Sequence, residues 1–221
     1  MADGFEQMID TADTFFKELA ADNTKPFFEA NKTRYVDGIK KPAELFGNLV
    51  ADDLSRSLGV PFGAKLFRIH RDVRFSKDKT PYNAHLHLLW ANKSPARLAP
   101  SVFLGFSPSY FILGTGVMSP DKEALAALRA LIDRRGAEIE AALAEAQVNV
   151  GAQLSDWGPE PLKRVPKPYD SDHPQAELLK RKSFVINAPI PQDWRTEGLL
   201  KSVNRAVNGL RPVFDLLAGA A

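Results

Sequence analysis

The hydrophobic period of this chain changes from helical to two-residue near Lys65 and back near Ser119, and that pattern leaves few folds open. Phe5, Met8, Ile9, Ala12, Phe15, Phe16 and Leu19 recur as one apolar stripe of a helix. Asp22-Asn23-Thr24 supplies capping chemistry for a second helix with Pro26 in its first turn. That helix carries Phe27, Phe28, Tyr35 and Ile39 until Pro42 interrupts it. A third, over 42–58, shows Leu45, Phe46, Leu49, Val50 and Leu54 and stops at Gly59. From Lys65, Phe67, Ile69, Val73 and Phe75 alternate with Arg68, His70, Asp72 and Arg74, the pattern of one half-buried strand.

A second strand over 84–91 puts Leu86, Leu88 and Trp90 on one face and His85 and His87 on the other. Residues 102–106 and 110–114 flank Ser107-Pro108-Ser109 as a hairpin. Gly114-Thr115-Gly116 permits a bulge or a close backbone approach. Ser119-Pro120-Asp121 starts a helix as cap, proline and first-turn acid; Gly136 ends it, and 137–147 forms another. Residues 148–174 read as irregular. A helix over 174–182, a strand over 183–188, a helix over 193–209 and a short one over 212–217 complete the chain. The expected fold is one α+β domain over 1–221, an antiparallel sheet from the middle of the chain packed by N- and C-terminal helices.

Composition narrows the chemistry. The absence of cysteine excludes disulfides, thiolate metal sites and cysteine nucleophiles. No apolar run reaches the roughly 18 residues of a membrane span, and no N-terminal signal pattern is present, so a cytoplasmic location and no membrane partner are expected. A net charge of +2 is too near neutral to argue for nucleic acid, which stays a minor option. Its distribution is uneven: 1–31 carries −5, 61–82 carries +4 and 163–182 carries +3. No Walker loop, dinucleotide fingerprint, nucleophile elbow or His-Glu-x-x-His motif occurs, so no cofactor is expected. Oligomeric state has no signature in the sequence.

Residues 65–82 are the place to look for function, with six basic residues, two aspartates and a histidine in eighteen positions. Guanidinium groups suit phosphate or carboxylate, so Arg68, Arg71, Arg74, Lys77 and Lys79 are candidate ligands for an anion, with Asp72, Asp78 and Tyr82 beside them. The structural alternative is a network in which Asp72 and Asp78 neutralise the arginines, as in a non-catalytic interaction module whose arginine cluster is structural, and both readings of the cluster can hold. Arg71 breaks the alternation and points toward the apolar side, so it needs a partner: Asp72, Asp78 or a bound anion. Lys167 and Tyr169 can join the same site if the two basic segments meet. His85 and His87, two apart on one strand, are a metal pair without an evident third ligand, and no metal is expected. Asp172 and His173 are weak acid–base candidates for an enzyme acting on a phosphorylated or carboxylated substrate. Capping of the next helix by Asp172 is the plainer account.

The run Arg68-Ile69-His70-Arg71-Asp72-Val73-Arg74-Phe75-Ser76-Lys77-Asp78-Lys79-Thr80-Pro81-Tyr82 resembles the bacterial and fungal family catalogued as a domain of unknown function, DUF2461. Asn31-Lys32 to Tyr35, Gly114 to Asp121, and Lys163 to Pro174 agree with its other motifs, so the resemblance spans about residues 5–217. Phe27 stands where the family has tryptophan, Pro168 where it has glycine, and Val117-Met118-Ser119 where it has aromatic and basic residues. The resemblance implies a shared fold and names no activity.

Overall fold

A computed structural model describes residues 3–219. Helix α1 (Glu6–Ala21) buries the apolar stripe from Met8 to Leu19. Thr24 caps α2 (Lys25–Tyr35), its hydroxyl accepting from the Phe27 N–H at 3.3 Å. Pro42 does not interrupt the helix. A π-helical turn (Val36–Lys40) joins α2 to α3 (Lys41–Leu58), and its wider winding accommodates the N–H that Pro42 lacks. Gly59, at φ +70°, closes α3. Leu45 and Leu49, read as core, are 56% and 38% exposed, because the buried face of α3 is built on Ala43, Phe46, Gly47, Val50, Ala51 and Leu54. The small residues let the helix lie close on the sheet: a Cβ at Gly47 would stand 3.2 Å from Leu88 Cδ2.

The six strands are β1 (Phe62–Leu66), β2 (Leu86–Asn92), β3 (Ser101–Ser107), β4 (Tyr110–Val117), β5 (Gln153–Leu154) and β6 (Phe184–Pro189). They form one antiparallel sheet in the order β1-β2-β3-β4-β6-β5. The β3–β4 hairpin turns through Pro108-Ser109 with Ser107 opposite Tyr110. Between the strands and after them run α4 (Lys122–Val150), α5 (Ala176–Lys180), α6 (Trp194–Glu197) and α7 (Leu199–Ala218). Helices α1, α3 and α7 cover one sheet face, where Leu86, Leu88, Trp90, Val102, Leu104, Leu113, Phe184 and Ile186 are buried. Helix α4 packs along α7. The domain is therefore α+β, with α1, α3 and α7 on one sheet face, and among the described residues no helix is long and apolar enough to cross a membrane.

The helix boundaries differ in part from the sequence reading. Asp121, not Ser119, caps α4, its carboxylate accepting from the Ala124 N–H at 2.8 Å. Helix α4 leaves helical geometry at Arg135 (φ −127°, ψ 30°), so two helical segments meet beside Gly136 as the sequence suggests, and the missing side chain of Gly136 makes room for Gln175: a Cβ there would lie 2.4 Å from Gln175 Cγ. Helix α7 runs through Gly209 and Pro212, and Gly209 admits Val150 of α4.

The arginine segment is not one strand. β1 ends at Leu66, and Phe75, expected on the apolar side, is 96% exposed. Ile69 to Arg71 pairs narrowly with Pro81 to Asn83, through Arg71 N–H to Pro81 O at 2.9 Å and Asn83 N–H to Ile69 O at 2.7 Å. The segment is thus the distal half of one long β1–β2 hairpin. Beyond it no strand among the described residues faces 72–80, and carboxylates take backbone N–H groups instead: Asp72 that of Arg74 and Asp78 that of Thr80. Tyr82 at the root is buried, stacked on Phe28 at 4.4 Å, and Asn23 bonds both its N–H and its carbonyl.

Candidate functional site

Antiparallel register decides what the sheet face without helices presents. Side chains alternate, so Lys65, His87, Leu89, Ser101, Phe103, Gly105, Tyr110, Ile112 and Gly114 point away from α1, α3 and α7. Several are small or absent side chains, and the face is hollow. A cleft of about 570 Å³ lies there, lined by Phe67, His87, Leu89, Phe103, Met118 and Trp157, with Ser101 and Ser119 among its polar groups. That volume is in the range of small-ligand sites. Residues 148–174, read as irregular, begin with the last turn of α4 and strand β5, and Trp157 follows β5 in the loop that crosses back over the sheet. Its ring centroid stands 5.9 Å from His87, 6.1 Å from Phe103 and 5.8 Å from Tyr110. The Arg181 side chain holds the root of that segment by donating to Ser155 O.

Glycines carve the polar end. Gly105 on β3 lies between His87 on β2 and the β4 strand, and a Cβ there would be 3.2 Å from the Tyr110 ring and 3.3 Å from His87. Without it, His87 Nε2 and the Tyr110 hydroxyl meet over the strand at 2.8 Å. His85 stacks on His87 with ring centroids 4.0 Å apart. Burial, then the neighbouring imidazole, pushes the His87 pKa down to about 4; burial, then the Arg71 charge, lowers that of His85. Both rings are neutral near pH 7. Burial also raises the Tyr110 pKa, so its hydroxyl keeps its proton.

A pH dependence of stability follows. The unfolded chain takes up a proton at His87 near pH 6.5, whereas the folded chain resists it until about pH 4. Below 6.5 the unfolded state binds more protons, so stability falls as pH drops through the window from 6.5 to 4. Discounted for partial solvent contact, the loss at His87 is about 2 kcal/mol. His87→Gln keeps a polar partner for Tyr110 and removes the titration. Urea unfolding of both proteins at pH 7 and pH 4.5 should show the variant losing about 2 kcal/mol less. Parallel losses in the two would refute the burial of a neutral His87.

The arginines divide by partner. Arg71 bonds through Nη1 to Asp78 at 2.5 Å, to Thr80 O at 3.1 Å, and to the Thr80 hydroxyl. The sequence left three partners open for Arg71, and Asp78 is the one it has. Asp78 also accepts from the Thr80 N–H at 2.9 Å, and these bonds hold its pKa at about 2. Arg74 grips Asp72 through Nε and Nη2 at 2.9 and 2.7 Å, lowering the carboxyl pKa. Lys79 Nζ donates to Val73 O at 3.0 Å. Arg68, Lys77 and Lys167 make no side-chain hydrogen bond among the described residues, nor do Arg71 Nε and Nη2, either nitrogen of His85, or His87 Nδ1.

The second loop stands elsewhere. His173 Nε2 lies 3.2 Å from Asp133 on α4, and its Nδ1 accepts from the Gln175 N–H at 2.9 Å, so both ring nitrogens are engaged. Asp172 does not cap α5; it accepts from Ser171, and α5 has no side-chain cap. Tyr169 packs on His173 with ring centroids 6.5 Å apart. Among the described residues no hydrogen bond or ion pair joins 163–173 to 65–82, and none of 163–173 lines the cleft. No group of three His, Asp or Glu side chains is arranged to hold a metal ion among the described residues.

The family model described as "Conserved hypothetical protein (DUF2461)" matches residues 11–216, nearly the whole chain. The chain belongs to the DUF2461 family. No curated protein and no solved structure matches it. The DUF2461 match spans the arginine hairpin, the cleft strands and the Trp157 segment together, so the site lies wholly inside the matched region.

The cleft residues were only half visible beforehand. Gly114 and Gly116 carry a signal of close approach, and His85 and His87 share a face. Trp157 had none, because its place depends on a loop folding back across four strands.

Proposed function

We propose that this protein binds a small amphipathic organic anion in the cleft. Its apolar body lies against Leu89, Phe103, Met118 and Trp157, and its acidic group turns to Arg71, His85 and His87. The observation that carries this reading is unused hydrogen-bonding capacity on His87, which lines the apolar cleft, and on the groups next to it. The unpaired edge of the half-buried Arg71 guanidinium, the imidazole of His85 and the Nδ1 of His87 have no hydrogen-bond partner among the described residues. Stacking of His85 on His87 sets their rings side by side, and the Arg71 charge acts on His85. With both imidazoles neutral, one guanidinium supplies most of the charge, which suits a monocarboxylate better than a polyphosphate. Lys65, with Nζ 5.1 Å from the Phe67 ring, adds a cation at the rim. Bracing of the loop by Arg71 is compatible with this role, since Nη1 alone makes the brace.

A catalytic reading through Asp172 and His173 has less support, because His173 is committed to Asp133 and Gln175 and the loop does not open into the cleft.

The test is a ligand panel: aromatic and aliphatic monocarboxylates, dicarboxylates, phosphate, pyrophosphate and nucleotides, read by thermal shift and by tryptophan fluorescence. Trp90 and Trp194 are buried, so a fluorescence response to a cleft ligand should come from Trp157 and vanish in Trp157→Phe. Arg71→Gln should weaken a monocarboxylate roughly 10- to 100-fold, the span of a charge-assisted hydrogen bond. Asp78→Asn, which loosens the brace and keeps the guanidinium, should retain binding. Equal affinity in Arg71→Gln, or a response that survives Trp157→Phe, would overturn the assignment.

A further inference from the structure

The tip of the β1–β2 hairpin has a chemistry of its own, apart from the cleft. Phe75 is 96% exposed, with the Arg74 guanidinium 5.9 Å from its ring. The other strongly exposed aromatic rings, Phe67 and Trp157, belong to the cleft, so Phe75 stands alone. A single exposed apolar residue needs no explanation in itself; its setting does. Residues 68–79 hold five cations against two carboxylates. Both carboxylates are paired within the loop while staying open to solvent: Asp72 with the N–H and guanidinium of Arg74, Asp78 with Arg71 and Thr80. Lys79 closes the loop on Val73 O, and the Ser76 N–H reaches the same carbonyl at 3.3 Å. The loop thus braces itself with its own side chains. It presents Phe75 at the apex, with Arg74 held beside it and with Arg68 and Lys77 unpaired among the described residues.

We propose that this tip docks on an anionic lipid surface, Phe75 entering the boundary between headgroups and acyl chains while Arg68, Lys77 and Arg74 beside the ring meet the headgroups. A broad anionic plane can engage several outward cations at once, and a ring at the apex adds apolar burial that charge alone does not supply. Single-stranded nucleic acid is the less suited partner, because stacking proteins offer successive aromatic platforms and this loop has one. The sequence argued against a membrane partner through the absence of a spanning run and of a signal pattern, and a docking loop needs neither.

Vesicle flotation tests it, using phosphatidylcholine vesicles with and without phosphatidylglycerol, and a fluorescent single-stranded oligonucleotide in a parallel titration. The full chain should float with phosphatidylglycerol vesicles, stay behind with phosphatidylcholine alone, and lose association as salt is raised. Phe75→Ser should lower partitioning about tenfold. Lys77→Glu should lower it as well, and circular dichroism should show both variants folded, since neither side chain is buried. No flotation, or flotation that neither substitution changes, overturns the proposal. Oligonucleotide binding that requires Phe75 in the absence of flotation overturns it in favour of base stacking.

Discussion

Trp90→Ala is expected to lower the free energy of unfolding by about 4 kcal/mol, the largest effect of any single truncation in the sheet. Trp90 is fully buried at the centre of β2, on the face covered by helices. Its indole N–H donates to Gly47 O at 2.8 Å, and its ring meets Phe46 edge-on at 6.2 Å. Truncation therefore removes a large apolar contact, a buried hydrogen bond and the spacer that sets the height of α3 over the sheet. The void cannot close easily, because Gly47 and Ala43 already bring α3 down to small-residue distance. For a chain of this length a loss of that size lowers the melting temperature by roughly 8–16 °C. Trp90→Phe keeps much of the volume and loses the donor, and should lie between the two. Calorimetry of the three proteins checks the order. A cost below about 1 kcal/mol for Trp90→Ala would show that α3 collapses onto the sheet, contrary to this packing.

Trp90 also shows why the helix-covered face was legible in the sequence. Leu86, Leu88 and Trp90 alternate with histidines, and alternation against a buried face is the strongest signal a strand carries. Helix α1 and the β3–β4 hairpin were legible for the same kind of reason, since their period and turn residues are local. The arginine segment misled for a physical reason. Phe67, Ile69, Val73 and Phe75 have strand spacing, yet a strand needs a neighbour to take its N–H groups, and beyond Tyr82 no neighbour remains. Asp72 and Asp78, which the sequence offered as charge partners, also take the backbone N–H groups that a ladder would have used. Gly136 was a fair signal, since the helix breaks at Arg135 beside it. Gly209, read as a helix stop, and Pro212, read as the start of a new helix, misled in the opposite direction: Gly209 serves a helix crossing with Val150, a partner dozens of residues away. The polar end of the cleft was partly visible as Arg71 needing a partner and as His85 and His87 sharing a face. Its apolar wall was not, because Trp157 reaches it only through tertiary packing.

Gly114→Ala should cost about 3 kcal/mol and close the cleft as well. A Cβ at position 114 would lie 2.2 Å from Cζ and 2.5 Å from Cε1 of Phe103, and 2.5 Å from the Ile186 carbonyl oxygen. The two clashes differ in kind. Phe103 is a side chain on the open face and can swing away, into the space between itself and Trp157. Ile186 O belongs to the backbone of β6, paired to β4, and moves only if the ladder parts. A double-mutant cycle with Phe103→Ala separates them. If the ring carries the cost, Phe103→Ala relieves most of it and the doubly substituted protein is little worse than Phe103→Ala alone. If the carbonyl carries it, the two losses add. Either way Gly114→Ala alone should displace Phe103 toward Trp157, change the tryptophan emission and abolish the fluorescence response to a cleft ligand. A substitution that left both stability and emission unchanged would mean that β4 does not approach β6 and the Phe103 ring this closely, and the hollow in the open face would need another origin.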